Sequence, residues 1–424
     1  MTSTKKGIIF ILDGLGDRPN RKLEGKTPLE FADTPNMDRL AANGQCGLMD
    51  PLLPGLPVDT HTGVGILFGL PPKHATELCR GPIEAAGIGL PMEEGDLLFR
   101  TNLAAVKKQD SGYQVLDRRA QRINEEIHTL CQSLQDIEVG NNILASLYPA
   151  TQHRCVLRLR GPDLSEQISD TDPGGKDISQ GIQSCTPLTN NDRKAKNTAD
   201  AINSFTDISH RILDEHPLNQ ARQSKGKLPG NGVLTRGVGF YRDQTNLIGH
   251  LKLQAGVVAG ESTILGLGQL FGFTCATEKT FTSLTDTDID LKLRRAKELL
   301  QNHDLVYVHL KGTDTAAHDR DPALKAQFIH LFDNALGRAE FGDVVTGICA
   351  DHSTDSIRGE HNGDSVPILI HHNSSRIDRA VRYNETDCNQ GALLRLTAQS
   401  FLLTMLDAMG QLGNFKPSSK AYFS

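Results

Sequence analysis

Short, uninterrupted apolar runs alternate along this chain with longer stretches in which apolar residues recur at helical spacing. The runs Gly7–Leu12, Leu305–Leu310 and Val344–Ala350 have the pattern of strands buried on both faces and covered by helices. Each leads into residues that can do chemistry: Asp13 after the first, Lys311 and Asp314 after the second, Asp351 and His352 after the third. Ligands of α/β sheets bind beyond the carboxyl ends of the strands. The pattern therefore predicts an α/β fold, a core sheet flanked by helices, with a site along one edge. Val366–Ile370 and 256–260 predict further strands, the latter leading into a packed helix within 260–273. Leu394, Phe401, Leu402 and Met405 recur at helical spacing ahead of Gly410, which predicts a last long helix against the sheet.

The texture changes from about Thr101 to Lys252. Strand-like pieces such as Val156–Leu159 are followed by a polar region, Ser169 to Asn197, rich in Asp, Asn, Gly and Lys. This predicts a smaller inserted α/β domain at 101–252, with the core built from 1–100 and 253–424.

Charge narrows the function. The 424 residues include 45 Lys+Arg and 51 Asp+Glu, a net charge of -6, which argues against a nucleic-acid binder held by bulk charge. With 38% apolar and 23% charged residues, fibrous and disordered classes are excluded and a sizeable core is expected. No apolar run nears the ~18 residues that would span a bilayer. Ile8–Leu12 behind Lys5 and Lys6 is too short for a secretory signal, so a cytoplasmic protein without a membrane partner is expected. Eight cysteines without a C-x-x-C pair disfavour a zinc finger or a disulfide frame.

The chemistry concentrates in carboxylates and imidazoles. Asp314 and His318 are four apart, a spacing that a helical turn brings onto one face. Asp351-His352 follows the next strand, His361 stands in a small-residue loop ahead of Val366–Ile370, and Asp13 ends the first strand. Three Asp and three His at successive strand ends form a mixed oxygen and nitrogen set suited to two divalent ions, Mn first and Zn or Mg as alternatives. No organic cofactor is expected. The pair Gly266-Leu-Gly268 falls within a helical run and lacks the third glycine of a dinucleotide fingerprint. His309, His330, His371 and His372 lack such context and receive no role. Between Pro57 and Gly69, Thr60 and Thr62 precede a small-residue helix. A metal ion can lower a hydroxyl pKa and make it a phosphoryl acceptor, which leaves two candidate nucleophiles.

Several segments resemble the archaeal-type cofactor-independent phosphoglycerate mutases of the alkaline phosphatase superfamily. They are Phe10-Ile-Leu-Asp-Gly-Leu-Gly-Asp-Arg-Pro, Arg80-Gly-Pro-Ile-Glu-Ala-Ala-Gly, Gly95-Asp-Leu-Leu-Phe-Arg-Thr-Asn and Asp117-Arg-Arg-Ala-Gln-Arg-Ile, followed by Ser169-Asp-Thr-Asp-Pro, His309-Leu-Lys-Gly-Thr-Asp, Ala350-Asp-His-Ser-Thr and Asp364-Ser-Val-Pro-Ile-Leu-Ile. The resemblance implies an alkaline-phosphatase-like core. Asp13, Asp351 and His352, with the nucleophile's oxygen, would hold one metal, and Asp314, His318 and His361 the other. It makes 101–252 the domain that closes over the substrate. Arg118, Arg119, Arg122 and Arg236, with Arg80, Arg100 and Lys311 on the core side, would clamp a phosphate and a carboxylate through forked donors.

At one place the chain departs from that family. The family's serine nucleophile sits in a Gly-Ser-Asp-Thr-Ala-His motif, and counting back from Gly69 aligns it with Thr60. The motif's Asp and His become His61 and Val64, and Thr62 is the reserve. Threonine nucleophiles occur elsewhere in the superfamily, among phosphodiesterases and phosphonate hydrolases. The main expectation is a mutase interconverting 3-phosphoglycerate and 2-phosphoglycerate through a phosphothreonine. The alternative is a metal-dependent phosphatase, or a phosphonate or phosphodiester hydrolase, on the same scaffold. A binding protein that merely kept the scaffold is disfavoured by the complete ligand set.

Overall fold

The computed structural model describes residues 5–110, 112–174, 181–242 and 246–413. The chain divides into two compact units, Met1–Leu78 with Gln244–Ser424, and Cys79–Asp243. Part of the polar stretch 169–197, residues 175–180, lies outside the described residues.

The first unit is a mixed α/β layer structure around an eight-stranded sheet. Its strands lie in the order Thr274–Ala276, Ala255–Val258, Leu305–Leu310, Gly7–Leu12, Val345–Cys349, Val366–His371, Gln45–Asp50 and Leu394–Thr397. Gly7–Leu12 runs parallel to Leu305–Leu310 on one side and to Val345–Cys349 on the other. Leu12 pairs with Leu310 and Ile11 with Cys349, so the three strands end side by side and release Asp13, Lys311 and Asp351 at one edge. Every residue of Ile8–Leu12 is fully buried, because side chains alternate to opposite faces and helices cover both. Phe10 packs edge-on against Phe332 of the helix Pro322–Arg338. Among the described residues no helix is long and apolar enough to cross a membrane. All eight cysteines are free.

The last helix is shorter than the apolar spacing predicts. It runs Ala398–Ala408, with Thr397 as its cap accepting from the Ser400 amide at 3.2 Å. Leu394 lies outside it, exposed at the start of the edge strand Leu394–Thr397, which pairs parallel with Gln45–Asp50.

The second unit holds a sheet in which Leu97–Gln109 is the organising strand. It pairs antiparallel with Arg154–Arg160, Gly232–Phe240 and Gly112–Asp117, and the helices Arg80–Gly87 and Arg193–Asp214 belong to the same unit. The unit therefore begins at Cys79, ahead of the boundary at 101 expected from composition. The reason is that the strand from Leu97 pairs with partners at 154–160 and 232–240. Arg80 and Arg100 move with it, out of the core to which their sequence positions pointed.

Candidate functional site

The strand ends of the first unit assemble the predicted residues. Asp13 follows Gly7–Leu12, and its amide donates to Leu310 O at 3.0 Å. Gly14, at φ 65°, then turns the chain; a Cβ there would collide with Thr354 Oγ1 and the Asp314 carboxylate, so only glycine permits this approach. Asp314 and His318 lie on the helix Gly312–His318, with His318 Nε2 3.3 Å from Asp314 Oδ1. Asp351 and His352 follow Val345–Cys349 after the single residue Ala350. His361 is not in a loop: it sits in the short strand Glu360–Asn362, paired antiparallel with Ser353–Asp355 so that it faces Thr354 across the hairpin. Thr60 opens the helix Thr60–Leu67, and Gly63 lets that helix approach, since a Cβ would strike the Asp351 carbonyl.

Two groups of potential metal ligands result. In one, His352 Nε2 lies 3.2 Å from Asp13 Oδ1, 3.4 Å from Asp351 Oδ2 and 3.2 Å from Thr60 Oγ1. The buried oxygens Asp13 Oδ1 and Asp351 Oδ2 accept no hydrogen bond. Such orphaned carboxylate oxygens are costly unless a cation meets them. In the other, Asp314 Oδ1 is 3.3 Å from His318 Nε2 and 3.5 Å from His361 Nε2, and the two Nε2 atoms are 3.3 Å apart. His318 Nδ1 faces Gly359 O at 2.8 Å and His361 Nδ1 faces Val58 O at 2.9 Å. A carbonyl only accepts, so both Nδ1 atoms carry protons, and the Nε2 lone pairs of neutral rings converge on one point. That tautomer is the one metal-ligating histidines adopt, and this donor set fits a divalent cation.

The electrostatics agree. Burial alone would raise the Asp13 pKa, but the Lys311 ammonium, the bond from His309 and the nearby His352 ring hold it well below the usual carboxylate range. Asp351 is pushed up by burial and by the neighbouring Asp13 charge. Burial opposes charge on His352, yet Asp351 and Asp13 raise its pKa to about 9. Lys311 Nζ sits 2.9 Å from Asp13 Oδ2, 2.6 Å from Asp314 Oδ2 and 3.2 Å from Thr60 Oγ1. This lysine thus stands within the first unit's carboxylates.

Three participants escaped the sequence reading. His309, assigned no role there, is buried with Nε2 2.9 Å from Asp13 Oδ2. Glu261 joins Asp13 and His309 in a further close group and lies 3.8 Å from Lys311 Nζ. Thr354 donates to Asp314 Oδ1 at 2.7 Å. His309 gave no signal in the sequence, because it sits within the apolar run Leu305–Leu310.

The second unit gathers arginines. Arg100 and Arg236 face each other on adjacent antiparallel strands, a like-charge pairing that destabilises a bare sheet. Arg100 is buried, and burial, reinforced by Arg80, Arg236 and Arg154, lowers its pKa to about 9 even though Glu84 opposes this at 3.2 Å. Arg118 forks onto Asp172 at 2.8 and 2.5 Å, and Arg236 lies 3.8 Å from the same carboxylate. Arg119 and Arg122 are exposed on the adjoining turn. There Ala120, Gln121 and Arg122 are all left-handed, held by Asp117 accepting from the Arg119 and Gln121 amides. Three left-handed non-glycine residues in succession are a costly backbone conformation. Asp172, Glu84 and Arg154 were not singled out from sequence.

Fold and ligand groups together define a mixed α/β protein with candidate metal-binding residues at the carboxyl edge of its sheet. The model of the 2,3-bisphosphoglycerate-independent phosphoglycerate mutase family matches residues 41–219. A protein of Thermococcus kodakarensis named 2,3-bisphosphoglycerate-independent phosphoglycerate mutase is 37% identical over 97% of this chain and 99% of its own length. One of Ignicoccus hospitalis with the same name is 37% identical at the same coverage. The solved structure of a Pyrococcus horikoshii protein matches with a TM-score of 0.80 and 30% identity over 98% of this chain and 100% of that one. The cofactor-independent phosphoglycerate mutase of Thermoplasma acidophilum matches with a TM-score of 0.68 and 28% identity over 96% and 100%. The chain belongs to the 2,3-bisphosphoglycerate-independent phosphoglycerate mutase family.

Proposed function

We propose that this chain interconverts 3-phosphoglycerate and 2-phosphoglycerate by passing the phosphoryl group through Thr60. The observation that carries the reading is the placement of Thr60 Oγ1, part-buried at a helix start, 3.2 Å from both His352 Nε2 and Lys311 Nζ. The names of the relatives point to the same reaction. Asp13, Thr60, Asp351 and His352 would hold one divalent cation and Asp314, His318 and His361 a second, with manganese the first choice on donor chemistry. When bound, the cations supply positive charge that lowers the hydroxyl's pKa and spreads the charge of the transferring group.

The chain's own residues do the rest. Thr60 Oγ gives up its proton and forms a bond to phosphorus as the substrate's ester O–P bond breaks, and the departing glycerate oxygen takes up one proton, so that the step is proton-neutral. In the return step the other glycerate hydroxyl attacks, the Thr60 O–P bond breaks and the threonine regains its proton. The Lys311 ammonium stabilises negative charge on Thr60 Oγ in both directions. Arg80, Arg100, Arg118 and Arg236, with Arg119 and Arg122 on their turn, supply forked donors for the substrate's phosphate and carboxylate. The inserted domain is in this reading the substrate clamp. Water must be kept out, or the phosphothreonine hydrolyses.

His61 and Val64 in the nucleophile segment favour one second reading, a phosphatase or a hydrolase of phosphonates or phosphodiesters. The manganese-loaded protein given 3-phosphoglycerate separates the two. Formation of 2-phosphoglycerate without phosphate release or added bisphosphoglycerate is expected. Release of inorganic phosphate alone would replace the mutase by the hydrolase.

A further inference from the structure

Thr354 belongs to neither ligand group, yet it touches both. Its hydroxyl lies 2.7 Å from Asp314 Oδ1 and 3.1 Å from His352 Nδ1, and across its hairpin it is paired with His361. The residue is fully buried. Its backbone is fixed independently: the amide donates to Gly16 O at 3.0 Å, and the carbonyl accepts from the buried Lys325 ammonium at 3.0 Å. Lys325 is in turn bound to Asp17 at 2.9 Å. Gly14 leaves the space that the hydroxyl fills.

Proton counting gives these contacts one direction. A threonine hydroxyl has a single hydrogen and free lone pairs. Asp314, with the Lys311 ammonium 2.6 Å from its other oxygen, is a carboxylate and can only accept. The hydrogen of Thr354 therefore points to Asp314 Oδ1, and the oxygen is left to accept from His352 Nδ1–H. With the Nδ1 proton held by Thr354, Nε2 is the ring atom left for a cation, and it is the atom that faces Asp13, Asp351 and Thr60. The same hydroxyl pins Asp314 Oδ1, the oxygen that faces His318 and His361. One buried hydroxyl thus sets a donor atom in each group.

We propose that Thr354 is a positioning residue that ties the two cation sites together, fixing the His352 tautomer for one and the Asp314 carboxylate for the other. The inference rests on the two-cation reading above and adds to it a shared support. Supporting residues of this kind change metal affinity by about 10–100-fold when removed, and here a single change must act on both sites.

The test is calorimetric titration of manganese into the cation-stripped full chain, as wild type, Thr354→Ser and Thr354→Val. Wild type is expected to take up two cations, and Thr354→Ser to stay close to it because the hydroxyl remains. Thr354→Val keeps the shape without the hydroxyl and is expected to weaken both binding steps at least tenfold. A Thr354→Val isotherm like wild type, or a loss confined to one step, overturns the proposal. Wild type binding no manganese overturns the underlying two-cation reading, a different failure visible before any variant is examined. If Thr354→Val does not fold, nitrogen-15 NMR of the zinc-loaded wild type decides. A proton on His352 Nδ1 is expected, and a bare Nδ1 refutes the proposal.

Discussion

At the scale of single residues, the choice between two threonines is geometric. Thr60 and Thr62 share one helix but stand roughly 200° apart around it. Thr60 lies beside His352 and Lys311, whereas Thr62 is buried. Radiolabelled 3-phosphoglycerate should therefore leave label on wild type, on Thr60→Ser and on Thr62→Ala, but none on Thr60→Ala, with turnover of the last reduced about 10³-fold or more. Label surviving in Thr60→Ala removes Thr60 from the reaction. The acid and imidazole donors were legible because such groups just past buried strands are rarely there for packing. His309 and Thr354 were not: one sits inside an apolar strand, and the other is an uncharged residue whose importance lies in having one hydrogen to give.

At the scale of elements, the helix Ile289–Leu299 carries Lys292 into the interior beneath the strand Leu305–Leu310, which bears His309. Lys292 is 1% exposed, donates to the His309 carbonyl at 2.9 Å, and is pushed by burial down to about 8 from 10.5. Between those two pH values the folded chain binds fewer protons here than the unfolded chain. The contribution of this residue to stability therefore rises as pH rises through that window, by at most about 1.4 kcal/mol per pH unit. Urea unfolding at both ends of the window should show this rise in wild type and a smaller one in Lys292→Met. Equal slopes would mean that the ammonium stays charged inside the fold. The parallel strands around Gly7–Leu12 were legible because burial on both faces leaves an unbroken apolar run. The hairpin Ser353–Asp355 with Glu360–Asn362 was not, since its three-residue polar strands are made by pairing alone. Leu394 misled for the opposite reason. It falls at helical spacing from Phe401, but Thr397 caps the helix between them.

At the scale of the molecule, composition set the expected insertion at 101–252 whereas the second compact unit runs Cys79–Asp243, because the allegiance of Leu97–Gln109 is decided by strands some 50 to 140 residues further on. The seven residues proposed to hold cations, Asp13, Thr60, Asp314, His318, Asp351, His352 and His361, come from distant parts of the chain but from one unit. Without cations, Asp13 and Asp351 confront each other in the interior and two imidazole lone pairs converge. Folding must bear that repulsion, and a cation that binds only the assembled strand ends removes it. Saturating manganese at about 100 times its dissociation constant adds about 2.7 kcal/mol per site, a displacement of several degrees in thermal midpoint that calorimetry reads directly. The shift should shrink in His361→Ala, which loses one ligand of one site, and shrink further when Asp351→Asn is added. A midpoint identical in chelator and in manganese would mean that the orphaned carboxylates are satisfied in some other way, and the two-cation reading would fall while membership of the family stood.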